Sequence, residues 1–240
     1  MLVFAHRGAS GYAPENTLKS MLLAQELGAD GVELDVHNVQ GELLVFHDRQ
    51  LAHKSDGSGL IHHKSLQEIS ALRVGGETIP TLRQVLQALA GRITVNVELK
   101  GIGCVAPFLN QYPSYLHELG YQPQQLLISS FNHPYLRQVK QRFPDACVAP
   151  LLASIPEDLA YCASALKACA LHLDINFISK QLVADAHQRG MKVNVYTVDD
   201  IDDIRALQQL GVDGIFSNFP DKARQVLAEP STRDYRRWFE

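Results

Sequence analysis

Apolar residues along the chain fall into short runs separated by stretches with helical spacing. The first run covers 2–6, and a helix is expected near 15–27, entered through Pro14-Glu15-Asn16-Thr17, where Asn16 or Thr17 supplies the N-cap. A second run lies at 31–36. Further runs at 93–99, 125–130, 147–152, 170–174, 192–197 and 213–217 are each followed by a segment that fits a helix. Strands separated by helices imply parallel pairing. Eight repeats in 240 residues average about 30 each, the size of one βα unit. The pattern therefore predicts an α/β fold, a closed TIM (β/α)8 barrel occupying 1–240 as one domain. An open doubly wound sheet is the competing arrangement, but His6-Arg7-Gly8-Ala9-Ser10-Gly11 lacks the glycine spacing of a dinucleotide-binding turn.

Residues 37–80 break the alternation. A short strand, Leu43-Leu44-Val45-Phe46, follows a Gln40-Gly41 turn, and a stretch rich in Gly, Ser and His comes next. This segment reads as a small insertion after the second strand, ahead of a helix near 81–90, placed over one end of the barrel as a partial lid.

Composition narrows the function. With 46% apolar and 20% charged residues the chain is an ordinary globular protein. Its 22 Lys+Arg against 26 Asp+Glu give a net charge of -4, so no basic field exists to attract nucleic acid or an anionic membrane. A small-molecule partner is expected, without stable membrane association. Leu2-Val3-Phe4-Ala5 meets His6-Arg7 at once, short of a signal-peptide core, and no transmembrane run occurs. Cys104, Cys147, Cys162 and Cys169 form neither a CxxC pair nor a metal spacing and read as reduced core residues, with Cys162 and Cys169 near one helical stripe. The expected location is the cytoplasm. The tail 231–240, with Arg233, Tyr235, Arg236, Arg237 and Trp238, reads as surface or an oligomer contact.

In a parallel barrel the C-terminal strand ends share one face, where barrel enzymes build their active sites. Those ends carry His6, Glu33, Asp35, Glu98, Lys100, Ser130, His172, Asp174, Tyr196 and Ser217. Glu33-Leu34-Asp35 points two carboxylates to one side of a strand, and Glu98-Leu99-Lys100 repeats the arrangement. Carboxylates gathered this way repel, and a divalent cation turns the repulsion into ligation. Oxygen donors favour Mg2+ or Ca2+, with Mn2+ an alternative. His6 and His47 have the chemistry of an acid/base pair. Arg7 and Lys100 suit an anionic oxygen or phosphate. The bland readings are salt bridges for the charged residues, structural hydrogen bonds for the histidines, and helix capping for Asn16. His37, His53, His62 and His63 read as solvent-exposed.

Taken in order, His6-Arg7-Gly8, Pro14-Glu15-Asn16-Thr17, Glu33-Leu34-Asp35, Phe46-His47-Asp48, Glu98-Leu99-Lys100 and Gly211-Val212-Asp213-Gly214 resemble the glycerophosphodiester phosphodiesterase family across almost the whole chain. The resemblance implies a TIM barrel with an insertion after the second strand, and metal-dependent hydrolysis of glycerophosphodiesters to an alcohol and glycerol 3-phosphate. It makes His6 and His47 the acid/base pair, Glu33, Asp35 and Glu98 the metal ligands, Arg7 and Lys100 the phosphate-binding cations, and Asn16 a supporting residue. Gly101 follows Lys100 where that family commonly has proline, and the Val39-Gln40-Gly41 turn also departs from its pattern. Cleavage of lysophospholipids and a non-catalytic binding barrel are the rival readings.

Overall fold

The computed structural model describes residues 1–235 and 237–239. Eight parallel strands form the barrel: β1 (Leu2–Ala5), β2 (Gly31–Val39), β6 (Thr94–Leu99), β7 (Leu126–Ser130), β8 (Cys147–Leu152), β9 (Ala170–Asp174), β10 (Lys192–Tyr196) and β11 (Gly214–Ser217). Each pairs with its neighbours in sequence around the ring, and β1 closes it by pairing with both β11 and β2. The outer layer comprises α1 (Leu18–Glu26), α3 (Leu82–Leu89), α4 (Val105–His117), α5 (His133–Arg142), α6 (Tyr161–Ala165), α7 (Lys180–Gln188), α8 (Ile201–Leu210) and α9 (Pro220–Ala228). The barrel expected from the alternation is the observed fold, and the strand ends differ from the expected ones by a residue or two, except at β2.

Two apolar clusters lie between strands and helices. Leu34, Val97, Ile128 and Val148 belong to one, and Leu171, Val193, Val195 and Ile215 to the other. Side chains of opposite parity enter the barrel, where Phe4 and Phe216 pack at 5.2 Å beside the polar Asn96, Ser129, His172 and Asn194. Strand register fixes what these inner residues meet: Glu33 lies opposite Asn96, and Asp35 opposite Glu98. A slip of one residue would send both carboxylates of β2 into the apolar layer.

The second strand continues to Val39, three residues past its expected end. It turns through Gln40 and Gly41, both left-handed, into β3 (Glu42–Val45), which pairs antiparallel from Val36↔Val45 to Val39↔Glu42. Positive φ at both central residues is what a two-residue hairpin requires. The inserted segment then contributes α2 (Leu66–Ala71) and the short ribbon β4 (Arg73–Val74) and β5 (Glu77–Thr78). It packs its own apolar cluster, including Phe46, Leu51, Ile61 and Ile69. The Val45 N–H donates to the Pro80 carbonyl at 2.8 Å, fastening both ends of the segment together.

Thr17 caps α1, and its hydroxyl accepts from the Ser20 N–H. Asn16 is therefore not the cap. Helix α6 ends at Ala165, so Cys162 and Cys169 share no helix, and Cys169 sits just before β9 instead. All four cysteines are free, and of these only Cys104 is fully buried. Tyr235 is buried rather than exposed, with its hydroxyl donating to Asp202, and the Trp238 indole N–H donates to Asp203 at 2.8 Å. Arg236, in the same tail, lies outside the described residues.

Gly31 starts β2 where the chain passes between β1 and β6. A Cβ there would meet the Phe4 ring at 2.6 Å and the Thr94 carbonyl oxygen at 2.9 Å. Gly31→Ala should therefore lower stability by about 1–3 kcal/mol, as overpacking does in a filled core. A urea midpoint equal to that of the parent chain would contradict the close approach.

Candidate active site

Glu33, Asp35 and Glu98 converge at the C-terminal mouth of the barrel, each at least nine-tenths buried. One oxygen from each lies within 4.8 Å of the others. Asp35 takes most of the compensating charge. Lys100 Nζ lies 3.5 Å from its Oδ1, Arg7 Nε lies 3.6 Å from its Oδ2, and the Asn16 amide donates to that second oxygen at 3.0 Å. Burial alone would raise its pKa, but Lys100, His47 and Arg7 hold it below the usual carboxylate range.

The other two carboxyls are less well compensated. Burial, then repulsion from Asp35 and Glu98, pushes Glu33 well above the ordinary value. Glu98 is raised to about 7 by burial and by Asp35, despite Lys100 Nζ donating to it at 3.1 Å. The Arg7 backbone N–H donates to Glu33 at 2.9 Å, which requires Arg7 to turn into the left-handed region at φ 56°. Asn16 is left-handed as well, at φ 57°, and its side chain meets Asp35 at both ends, since Asn16 Oδ1 accepts from the Asp35 N–H at 3.3 Å. Two non-glycine residues held in this region beside one carboxylate cluster are a mark of a functional site.

Each histidine is oriented through Nδ1. The carboxylate of Asp199 can only accept, so the Asn218 amide nitrogen faces it and Asn218 Oδ1 faces His6. His6 Nδ1–H donates to that oxygen at 2.9 Å, and the Ser10 hydroxyl donates to it at 2.7 Å. Nε2 is then the basic nitrogen. Burial and the Arg7 guanidinium lower this imidazole to about 4, so it is neutral at physiological pH. His47, brought in by the inserted segment, donates from Nδ1 to Asp48 instead. Asp48 also accepts from His53, and these hydrogen bonds outweigh desolvation to hold its carboxyl below the usual range.

His6, Arg7, Glu33, Asp35, His47, Glu98 and Lys100 line one cavity of about 230 Å³. All the site residues expected from the sequence lie there, except Asn16, which stands behind Asp35. Glu15, in the same loop, bridges Arg7 and Lys54 at 2.9 Å each and so ties the first βα loop to the insertion. His37, expected to be exposed, is buried and donates from Nε2 to the His47 carbonyl at 3.0 Å. Gly101 packs onto it, for a Cβ there would lie 2.7 Å from His37 Cα. Of the other polar strand ends, His172 and Tyr196 line the cavity.

Several contributors escaped the sequence reading. Asn96, also buried on the cavity floor, shares strand parity with Glu98, and that alternation was the available signal. Phe131, 49% exposed, contributes an aromatic wall with Tyr196 at 6.1 Å between ring centres. The Asp199–Asn218 support of His6 joins loops that nothing local connects.

A model of the "Glycerophosphoryl diester phosphodiesterase family" matches residues 6–222. The chain belongs to this family. It is accordingly a phosphoric diester hydrolase, and its activity is glycerophosphodiester hydrolysis. The glycerophosphodiester phosphodiesterase of Caldanaerobacter subterraneus subsp. tengcongensis is 34% identical over 231 residues, covering 92% of this chain and 95% of that protein. The enzyme of the same description from Bacillus altitudinis is 30% identical, covering 95% and 98%. Among solved structures, an Oleispira antarctica phosphodiesterase in complex with the product sn-glycerol-3-phosphate superposes with a TM-score of 0.89 at 32% identity, covering 95% of this chain and 97% of that one.

His172 on the cavity floor gives a pH signature. The Asn194 amide donates to its Nε2 at 3.2 Å, and complete burial lowers the imidazole to about 3. The unfolded chain takes up that proton near pH 6.5, so between the two values acid favours unfolding; above 6.5 the effect vanishes. His172→Gln should make the fall in unfolding free energy between pH 6 and pH 4 shallower by about 1.4 kcal/mol per pH unit. Parallel acid limbs in urea titrations of the two proteins would contradict this.

Proposed function

We propose that the cavity hydrolyses glycerophosphodiesters to an alcohol and glycerol 3-phosphate, with Glu33, Asp35 and Glu98 holding a divalent cation and His6 and His47 moving the protons. The observation that carries this reading is the placement of two differently partnered imidazoles in one cavity with three buried carboxylates. Glu33 and Glu98 remain poorly compensated by the protein's own cations, and their hard oxygen atoms fit Mg2+ or Ca2+, with Mn2+ also suited to such donors. A cation bound there supplies positive charge that polarises a phosphoryl oxygen.

Arg7 and Lys100 flank the same carboxylates and offer N–H donors to the remaining phosphate oxygens. His6, neutral and carrying its proton on Nδ1, is the base: Nε2 accepts the proton of the attacking oxygen, which belongs to water in direct hydrolysis or to the glycerol hydroxyl in a route where water then opens the resulting cyclic phosphate. His47, oriented by its Nδ1–H donating to the Asp48 carboxylate, is the acid that protonates the departing alcohol oxygen. Asn16 supports the site by orienting Asp35. The complex of the Oleispira relative with sn-glycerol-3-phosphate supports the same product here. The chain acts as one domain over 1–240, with segment 37–80 as a lid that carries His47. No helix among the described residues is long and apolar enough to cross a membrane. Four unpaired cysteines fit a cytoplasmic setting.

Glycerol 3-phosphate release from a panel of glycerophosphodiesters, with and without EDTA and with Mg2+ or Ca2+ restored, tests the reaction. His6→Ala and His47→Ala should each lower kcat by about 10²–10⁴-fold with the fold retained; turnover at the parent rate would remove the acid/base assignment. Because Glu98 ionises near 7 in the metal-free protein, divalent-cation affinity should rise from pH 6 to pH 8 with release of protons. Calorimetric titration in buffers of different ionisation enthalpy checks this, and binding at pH 6 that releases no protons would contradict ligation through a raised Glu98.

A further inference from the structure

The N-terminal mouth of the barrel, at the end opposite the phosphodiester cavity, holds a second cavity of about 230 Å³ lined by Cys147, Cys169, Lys192, Gln124 and Thr94. Cys147 opens β8, and Cys169 immediately precedes β9. The Cys169 N–H and S–H both donate to the Val148 carbonyl, at 3.0 and 3.4 Å, which zips the two segments together and sets Cys169 beside Cys147. Both cysteines pack around Leu127, Ala149 and Ala170, and both are partly exposed. Among the described residues the carboxylate trio is the one cluster able to hold a metal, so this pair lacks a third metal ligand. We propose that Cys147 and Cys169 are a dithiol modification site that a hydroperoxide oxidises to a disulfide.

The two thiols have distinct roles. The neighbouring Cys169, together with Lys140 and Lys192, brings the Cys147 thiol down to about 7. Cys169 holds its proton more tightly than an ordinary thiol, chiefly because of the adjacent Cys147 and then because of burial. The Cys147 thiolate attacks one oxygen of hydrogen peroxide, the O–O bond breaks, and the other oxygen leaves as hydroxide that takes a proton from solvent to become water, leaving Cys147 as a sulfenic acid. The Cys169 sulfur then displaces that hydroxyl, which leaves with the Cys169 proton as a second water while the S–S bond forms. Two thiols lose two electrons and one hydroperoxide gains them. Cys104, buried and pushed up to about 12, and Cys162, also raised by burial, serve as internal controls.

The test treats the full chain with hydrogen peroxide near pH 7, followed by non-reducing proteolysis and mass spectrometry. The expected product is a peptide pair joined through Cys147 and Cys169 and released by dithiothreitol, with Cys104 and Cys162 still open to alkylation after denaturation. In Cys169→Ser, dimedone should trap a sulfenic acid on Cys147; in Cys147→Ser, neither crosslink nor adduct should form. Circular dichroism establishes that both variants fold. Absence of the linked peptide, a crosslink through Cys104 or Cys162, or dimedone labelling spread evenly over the cysteines would overturn the proposal.

Discussion

Mutual repulsion among Glu33, Asp35 and Glu98 is the constraint around which the C-terminal face of this barrel is organised. Left to themselves, three carboxylates with their oxygens so close would protonate or pull apart. The pairing of β2 with β6 prevents separation, because Asp35 and Glu98 are neighbours in the backbone ladder and the apolar alternation locks the register. Protonation is opposed unevenly. Lys100, Arg7 and Asn16 all serve Asp35, which stays ionised, while Glu33 and Glu98 are raised. The left-handed backbone at Arg7 and Asn16 follows from the same demand, for it brings a peptide N–H to Glu33 and an amide to Asp35.

The two imidazoles are oriented by partners of different charge. A carbonyl-type oxygen, Asn218 Oδ1, accepts from His6 without adding negative charge, and its pull, with that of Asp35 and Glu15, is outweighed by burial and Arg7. Asp48 presents a full carboxylate to His47. Asn218 in turn is oriented by Asp199, one link farther from the cavity, where the negative charge fixes a direction while remaining distant from the ring.

Much of this was legible in the chain because barrel strands carry period-two information. Runs such as Val32-Glu33-Leu34-Asp35-Val36 name both the core face and the site face, and all eight strands announced themselves in this way. His37 was misread because its burial depends on β2 continuing into the hairpin, and the helical stripe inferred for Cys162 and Cys169 fails because α6 is a single short turn of helix ending before Cys169. Asn218, Asp199 and Glu15 act through partners remote in sequence or in adjoining loops, where no periodicity links them. Asn96 was within reach of the parity argument, two residues before Glu98 on the same inner face.

The histidines also stand on different bodies. His6 ends a barrel strand, whereas His47 follows a hairpin strand whose outer surface belongs to a separate apolar cluster built from Phe46, Leu51, Ile61 and Ile69. The distance between the two imidazoles is thus set by how one small core seats on a larger one, with Glu15 between Arg7 and Lys54 as a polar latch across the seam. Such a construction makes the seam between the two cores a point of adjustment: a change in how the inserted segment packs moves His47 relative to the carboxylates, while the strand register that holds Asp35 beside Glu98 is untouched.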